Sequence, residues 1–298
     1  MESPCRHVGE YPLRISTRIS RTPKMNVSRI GCAIWTLGAT PDVATLRKHM
    51  ETVAAIGCTS VQPWAVDVEY TPCILDPDLA TPAVRREVAR LPEELGVSFS
   101  GFCAQLRGRE TYGGLEEEEG LEARIEKTKA VLTLAVELGA PVVTTHVGKM
   151  PADPAAPAYQ TLLRSVGAIA HHAEQVGAVF APETGQESPE ELLAFLERIG
   201  SPALKVNYDP CNLLRFGSEE GTIRGVHILK DYIVHTHAKD WNPRTLRATC
   251  GQGDVPWQGY LAALQEIGYT GVLAIEDESG NDDMIGSIRE SFAFLKDA

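Results

Sequence analysis

The chain has 298 residues, of which 43% are hydrophobic, and a formal net charge of −12. This length and apolar content predict one barrel-sized domain with a large core. The negative charge disfavours nucleic-acid and anionic-membrane partners, which are bound through Lys and Arg, so a small neutral or polar molecule is the favoured partner. A homo-oligomer is left open. Seven scattered cysteines without a C-x-x-C pair, and no apolar run near 20 residues, favour a cytoplasmic protein.

Residues 1–27 are polar and basic, and they contain no apolar signal-peptide core. We expect a disordered or loosely attached arm there, with the folded domain spanning residues 28–298. An arm rich in Arg and Ser is also typical of a transit peptide, which is the alternative.

Strand-like and helix-like segments then alternate along the chain. Strands are predicted at residues 29–35, 60–64, 98–103, 141–146, 178–183, 204–209, 232–237 and 271–276. Thr40-Pro41-Asp42 predicts a helix with Pro at its first position, and Ser188-Pro189-Glu190-Glu191 is a capping box. Eight strand–helix units predict an α/β fold closed into a single (β/α)₈ TIM barrel. An open doubly wound sheet is the alternative, but no G-x-G-x-x-G follows the first strand.

The last four predicted strands end at residues able to bind a metal: Glu183, Asp209, His237 and Glu276. The carboxyl ends of parallel strands meet at one end of a barrel, where ligand groups collect. Three carboxylates and one imidazole suit an octahedral Mn²⁺, Mg²⁺ or Co²⁺ better than a structural Zn²⁺. Without a cation, three converging carboxylates would repel one another. His235 is in phase with His237 and is a rival ligand.

Two further segments invite functional interpretations. Gly251-Gln-Gly253-Asp-Val-Pro256-Trp257 could present backbone N–H groups to a phosphate, but it lacks the Lys-Ser/Thr ending of a P-loop, so we expect a structural turn. The acidic run Glu116–Glu119 precedes a helix, where carboxylates are favoured by the dipole and are usually solvated.

The motifs around these strand ends resemble a known family. They are Thr-His146-Val-Gly148, Pro-Glu183-Thr-Gly, Asn-Tyr-Asp209-Pro-Cys-Asn212, His235-Thr-His237-Ala-Lys239-Asp240 and Ala-Ile-Glu276. Together they resemble the xylose-isomerase-like TIM barrel superfamily, specifically the sugar phosphate isomerase/epimerase family that includes ketose 3-epimerases. The resemblance implies that the four strand-end residues hold one divalent cation, with Mn²⁺ first. It also implies that Glu183 and Glu276 act as an acid/base pair on a sugar or sugar-derived substrate.

The sequence departs from many ketose epimerases three residues after Asp209. Asn212 stands where those enzymes often carry His, and an amide cannot carry a proton at neutral pH.

The expected reaction is isomerisation or epimerisation of a sugar by proton abstraction next to a carbonyl. A cation that chelates the carbonyl and the adjacent hydroxyl stabilises the resulting enediolate. Candidate substrate-binding residues lie at strand ends and in the loops that follow them. They are His146, Asn212, Lys239, Arg244, Trp35, Trp64 and Gln105, with Arg247, Trp241 and Gln62 as further candidates.

Three alternatives follow from the same residues. A dehydratase or lyase acting on a keto-sugar, keto-inositol or 3-keto-glycoside would use the same enediolate to expel a leaving group. An AP-endonuclease-like DNA-repair enzyme is disfavoured by the acidity of the chain and by the lack of further histidines. A non-enzymatic sugar-binding barrel with a vestigial metal is the third.

Overall fold

The computed structural model describes residues 29–68, 71–106 and 114–298. The predicted N-terminal arm, residues 1–27, lies outside these ranges. Nine strand segments are present in the described part of the chain, and all of their pairings are parallel. They are β1 Ile30–Ala33, β2 Ser60–Gln62, β3 Ser98–Phe99, β4 Phe102–Cys103, β5 Val142–Thr145, β6 Val179–Pro182, β7 Val206–Tyr208, β8 Ile233–Ala238 and β9 Leu273–Ile275.

The strands close into a barrel. One sheet has the order β3-β2-β1-β9-β8-β7 and a second has the order β4-β5-β6. Isolated parallel bridges join the two sheets: Trp64 to Cys103 on one side, and Phe180 to Leu204 and Glu183 to Asn207 on the other. β3 and β4 are two halves of one interrupted strand, so the nine segments make the eight predicted strands of the barrel. The (β/α)₈ prediction is confirmed.

Helices follow the strands around the outside of the barrel. They are α1 Val43–Ile56, α2 Pro82–Val88, α3 Leu91–Leu95, α4 Leu121–Glu137, α5 Pro157–Val176, α6 Pro189–Ile199, α7 Pro210–Phe216, α8 Glu219–Ile228, α9 Trp257–Glu266 and α10 Met284–Asp297, with a 3₁₀ helix at Ile34–Leu37. Of the helices in the described ranges, none is both long and apolar enough to span a bilayer.

The helix starts follow local capping chemistry. The capping box at Ser188 is present, with Glu191 bonding back to the Ser188 backbone. The prediction that Pro41 is the first helical residue of α1 is wrong. Asp42 is the N-cap instead, and its side chain accepts a hydrogen bond from Thr45 N at 2.7 Å. The carboxylate satisfies an otherwise free helical N–H group, so the helix starts at Val43, two residues later than predicted.

Candidate metal centre

Four side chains from the last four strands, β6 to β9, meet at the carboxyl end of the barrel. Glu183 follows β6, Asp209 follows β7, His237 lies near the end of β8, and Glu276 follows β9. Each offers one ligand atom, these atoms all lie within 4.8 Å of one another, and all four residues are buried. The four residues that were predicted as metal ligands, from their positions at strand ends and from the family resemblance, therefore lie together in the structure.

His237 is oriented by its two ring nitrogens. Nε2 lies 2.9 Å from Gln62 Oε1, an acceptor, so Nε2 carries a proton. Nδ1 faces Glu276 Oε2 at 3.1 Å and Glu183 Oε2 at 3.3 Å. Metal-binding histidines usually donate their other ring N–H to an oxygen in this way, which fixes the tautomer. Gln62 therefore leaves Nδ1 available to a cation.

Asp209 has one occupied and one unoccupied oxygen. Oδ1 caps α7 by accepting hydrogen bonds from Cys211 N at 2.8 Å and Asn212 N at 3.1 Å. Oδ2 is buried and has no hydrogen-bond partner among the described residues. An unpaired buried carboxylate oxygen is costly, and burial raises the pKa of Asp209 well above its usual value. A cation would satisfy this oxygen and stabilise the carboxylate, so the donor set fits a divalent-metal site.

A second polar layer lies one step deeper in the barrel. Asn207 accepts a hydrogen bond from His235 Nδ1 at 2.9 Å and donates one to Glu183 Oε2 at 3.2 Å. The other ring nitrogen of His235 lies 3.1 Å from Ser100 Oγ. Burial, and next the neighbouring His237, lower the pKa of His235 to about 3, so this ring is neutral. His235, the rival ligand, is thus occupied on both nitrogens, and it supports Glu183 through Asn207.

Neighbouring basic side chains offset the cost of burying the two glutamates in their charged form. Burial by itself would raise the pKa of Glu183, but His146 and His237 lower it below its ordinary value. For Glu276, burial is likewise outweighed, here by Lys239 and His237. Lys239 Nζ lies 3.2 Å from Glu276 Oε2 and 2.8 Å from Glu278 Oε2. Both glutamates are therefore ionised at neutral pH and able to accept a proton.

An open cavity of about 500 Å³ lies above the four residues and is lined by Glu183 and Glu276. Pockets of about 300–1,000 Å³ hold small-molecule ligands. Six of the seven predicted substrate-binding residues line it: Trp35, Trp64, Gln105, His146, Asn212 and Lys239. Arg244 is exposed and is not among the lining residues, whereas Arg247 is.

The lining residues also contact the glutamates directly. Trp35 Nε1 donates to Glu276 Oε1 at 3.1 Å, and Asn212 Nδ2 donates to Glu183 Oε1 at 2.9 Å. His146 Nε2 lies 3.5 Å from that same Glu183 oxygen. Each glutamate is thus held in position by neutral donors as well as by charge.

The sequence interpretation missed several residues at this site. Glu278, which pairs with Lys239 and lines the cavity, lies two residues after Glu276, and that in-phase spacing was a usable signal.

Glu116 was expected to be solvated, but Oε1 accepts a hydrogen bond from Lys149 N at 2.8 Å. It therefore holds the turn at Gly148, where φ is +101° and a Cβ would overlap the Glu116 carboxylate.

The glycine-rich segment after β8 folds around the carboxylate of Asp240. Its carboxylate accepts hydrogen bonds from the backbone N–H groups of Gly251, Gly253 and Val255 at 2.8 to 3.1 Å. It also accepts one from Trp257 Nε1 at 2.8 Å. These donors are satisfied within the protein, which agrees with the predicted structural turn and leaves them unavailable to a phosphate.

Comparison with known proteins places the chain in a family. The family model of the xylose isomerase-like TIM barrel matches residues 50–298. The structure is similar to that of a xylose isomerase domain protein from Planctomyces limnophilus, with 25% identity, a TM-score of 0.73, and coverage of 88% of this chain and 94% of that one.

Two more distant structures share the fold. D-allulose 3-epimerase from Methylomonas sp., solved in complex with D-allulose, has 16% identity and a TM-score of 0.69, and the match covers 90% of this chain and 96% of that one. A probable 3-DHS dehydratase from Bacillus anthracis has 15% identity and a TM-score of 0.69, with coverage of 90% and 98%. Since the family model covers well over half of the sequence, the chain belongs to the xylose isomerase-like TIM barrel family.

Proposed function

We propose that the protein is a divalent-metal-dependent isomerase or epimerase of a sugar or sugar-like ketone, with Glu183 and Glu276 as the acid/base pair. One observation carries the proposal. The two glutamates both contact His237 Nδ1, at 3.3 and 3.1 Å, and both line one open cavity. Proton removal from one face of a carbon and return to the other requires two such groups around one position.

Glu183, Asp209, His237 and Glu276 would hold the cation, which when bound acts as a Lewis acid on the substrate carbonyl. The mixed set of three oxygens and one nitrogen favours Mn²⁺, with Mg²⁺ or Co²⁺ as alternatives. The D-allulose complex of the Methylomonas epimerase supports a sugar substrate by analogy of fold.

The residues around the glutamates have distinct roles in this proposal. Glu183 and Glu276 take up and return the proton. Trp35 and Lys239 orient Glu276 through its two oxygens. Asn212, which also donates to Thr184 O at 3.1 Å, orients Glu183. Because an amide cannot carry a proton at neutral pH, Asn212 positions groups and is not itself an acid or base.

The test is solvent exchange in D₂O with Mn²⁺ and a panel of ketoses, keto-inositols and 3-keto-glycosides, followed by NMR. We expect deuterium to enter at one carbon next to a carbonyl without loss of water. Glu183→Gln and Glu276→Gln should each reduce the exchange rate by about 10² to 10⁴, the usual contribution of a general acid or base.

Ile285→Ala is the matched control, because Ile285 is exposed and lines neither the described cavity nor the metal centre. It should leave the exchange rate unchanged. Exchange that survives in both glutamine variants, or that is absent with every compound in the panel, would rule out the proposed reaction.

A dehydratase or lyase is the second candidate. Lys239 is partly buried at the cavity wall. Burial opposes its charge, but the nearby carboxylates raise its pKa well above its usual value. This ammonium group, 3.2 Å from Glu276, could protonate a departing oxygen after the same deprotonation step. The probable dehydratase from Bacillus anthracis shares the fold. In the same NMR experiment, release of water or of an alcohol would identify this chemistry.

A further inference from the structure

A second cavity adjoins the one above the metal centre. It has a volume of about 310 Å³ and lies between the loop after β6 and the junction of α7 with α8. Three residues line both cavities: Gly185, Gln186 and Phe216. The two cavities therefore share a wall at these residues, and the open face of Phe216 lies at the boundary between them.

Phe216 is unusual among the surface residues. It is the last residue of α7 and is 47% exposed. Among the large hydrophobic side chains exposed in residues 29–68, 71–106 and 114–298, it is the only aromatic one. The guanidinium carbon of Arg215 lies 5.1 Å from its ring centroid, so a cation contacts the ring while much of its surface stays open. An open aromatic ring between two cavities can pack against the apolar face of a sugar or similar ring.

The charge of the second cavity indicates what it would accept. Its lining includes Glu187, Glu190 and Glu191, while Arg224 is its only Lys or Arg among the described residues. Arg224 is paired with Glu190 at 2.5 Å, and Glu191 is used in the capping box of α6. Because no unpaired cation remains, a phosphate or carboxylate would be repelled there. A neutral group with hydroxyls fits, since Gln186 offers both a donor and an acceptor.

We infer that the second cavity receives a neutral ring attached to the reacting sugar, with Phe216 as the residue that selects for it. The substrate is then a ketose or keto-sugar that carries a glycosyl or similar cyclic substituent, and not a free monosaccharide or one that places a phosphate in the second cavity. This inference rests on the proposed function, because it assumes that the reacting carbonyl lies over the metal centre.

The test compares binding of matched ketoses to the Mn²⁺-loaded protein by isothermal titration calorimetry. The probes are D-fructose, D-fructose 6-phosphate, and three glucosyl-fructoses linked through O3, O5 or O6 of the ketose. We expect at least one glucosyl-fructose to bind more tightly than D-fructose. Phe216→Ala should weaken that binding by about 3- to 10-fold, the range of an aromatic ring contact. It should weaken D-fructose binding by a smaller factor, because Phe216 also lines the first cavity, so the preference for the glucosyl-fructose should shrink.

Two variants sharpen the comparison. Phe216→Trp keeps an aromatic ring and should retain the preference, while Ile285→Ala removes an exposed apolar side chain elsewhere and should have no effect. The inference is overturned if no glucosyl-fructose is preferred, if the preference survives Phe216→Ala, or if D-fructose 6-phosphate is the tightest ligand. If deuterium exchange is seen with monosaccharides while no glycoside is preferred, this inference fails and the proposed function stands. If no compound undergoes exchange, the proposed function itself fails.

Discussion

Replacing Asp209 by Asn tests the metal centre without removing the cap of α7. The amide oxygen of Asn can still accept from Cys211 N and Asn212 N, while the unpartnered Oδ2 becomes an NH₂ group. The metal-free variant should be at least as stable as the metal-free wild type at pH 7, because it removes a buried carboxylate whose pKa is raised by burial.

The sign of this effect depends on pH. The folded protein holds a proton on Asp209 more tightly than the unfolded chain does, where the pKa is near 3.8. The resulting stability is fully present below that unfolded pKa and is lost as pH rises through the raised folded pKa. The difference between metal-free wild type and Asp209→Asn should therefore shrink as the pH is lowered toward 4.

Added Mn²⁺ should have the opposite effect on the comparison: it should stabilise the wild type more than the Asp209→Asn variant. At a concentration 100 times Kd, binding stabilises the wild type by about 2.7 kcal/mol. At roughly 2 °C per kcal/mol for a chain of this size, Tm rises by about 5 °C. If the Asn variant binds about 100-fold more weakly, its gain falls to about 1 °C.

Differential scanning calorimetry with and without Mn²⁺ measures both effects. Asp283→Asn is the matched control, since Asp283 caps α10 by accepting from Gly286 N at 2.8 Å and is not one of the four clustered residues. It should keep the full gain. A gain of about 5 °C in Asp209→Asn, or a metal-free Tm well below that of the wild type, would refute the reasoning.

Two further predictions concern proton release and the Asp240 loop. Because Glu276 and Glu183 raise the pKa of His237 despite its burial, and because burial raises that of Asp209, a cation must displace protons from them. Mn²⁺ affinity should therefore increase from pH 6 to pH 8. Calorimetry in buffers of different ionisation enthalpy should detect the released protons. An affinity independent of pH would contradict this prediction. Asp240→Asn places an NH₂ group against several N–H donors, so it should lower the free energy of unfolding by about 3 kcal/mol and speed amide exchange at Gly251 and Gly253. Asp254→Asn, at an exposed position of the same loop, is the control, and equal urea midpoints for the two variants would show that the Asp240 carboxylate does not hold the loop.

The four clustered residues could be predicted because each ends a strand. Strand periodicity places alternate residues on one face, and parallel strands in a barrel finish at one end. The same argument placed His235 in phase with His237, one step deeper in the barrel. It favoured His237 over His235 because His237 lies level with the other strand ends. The hydrogen-bond partners Asn207, Ser100 and Gln62, which occupy His235 on both nitrogens and His237 on one, could not be predicted from strand phase.

Loop residues were harder to place because loops have no period. Arg244 and Arg247 lie three residues apart after β8, yet only Arg247 lines the cavity. The chain between them passes through Leu246, which has a φ of +63°. Phe216 is the last residue of α7 and Gln186 lies in the loop after β6, and no pattern in the sequence marks either of them as a cavity residue.

The sequence by itself determined the barrel and the end of it at which the four polar residues cluster, because strand length, alternation and a polar residue after each apolar run are local properties. Only the tertiary structure decided which nitrogen of His237 faces the glutamates, because Gln62 lies 175 residues away in the chain. The unpartnered oxygen of Asp209 and the second cavity beyond Phe216 also depend on closure of the barrel, which brings distant strand ends and loops into contact.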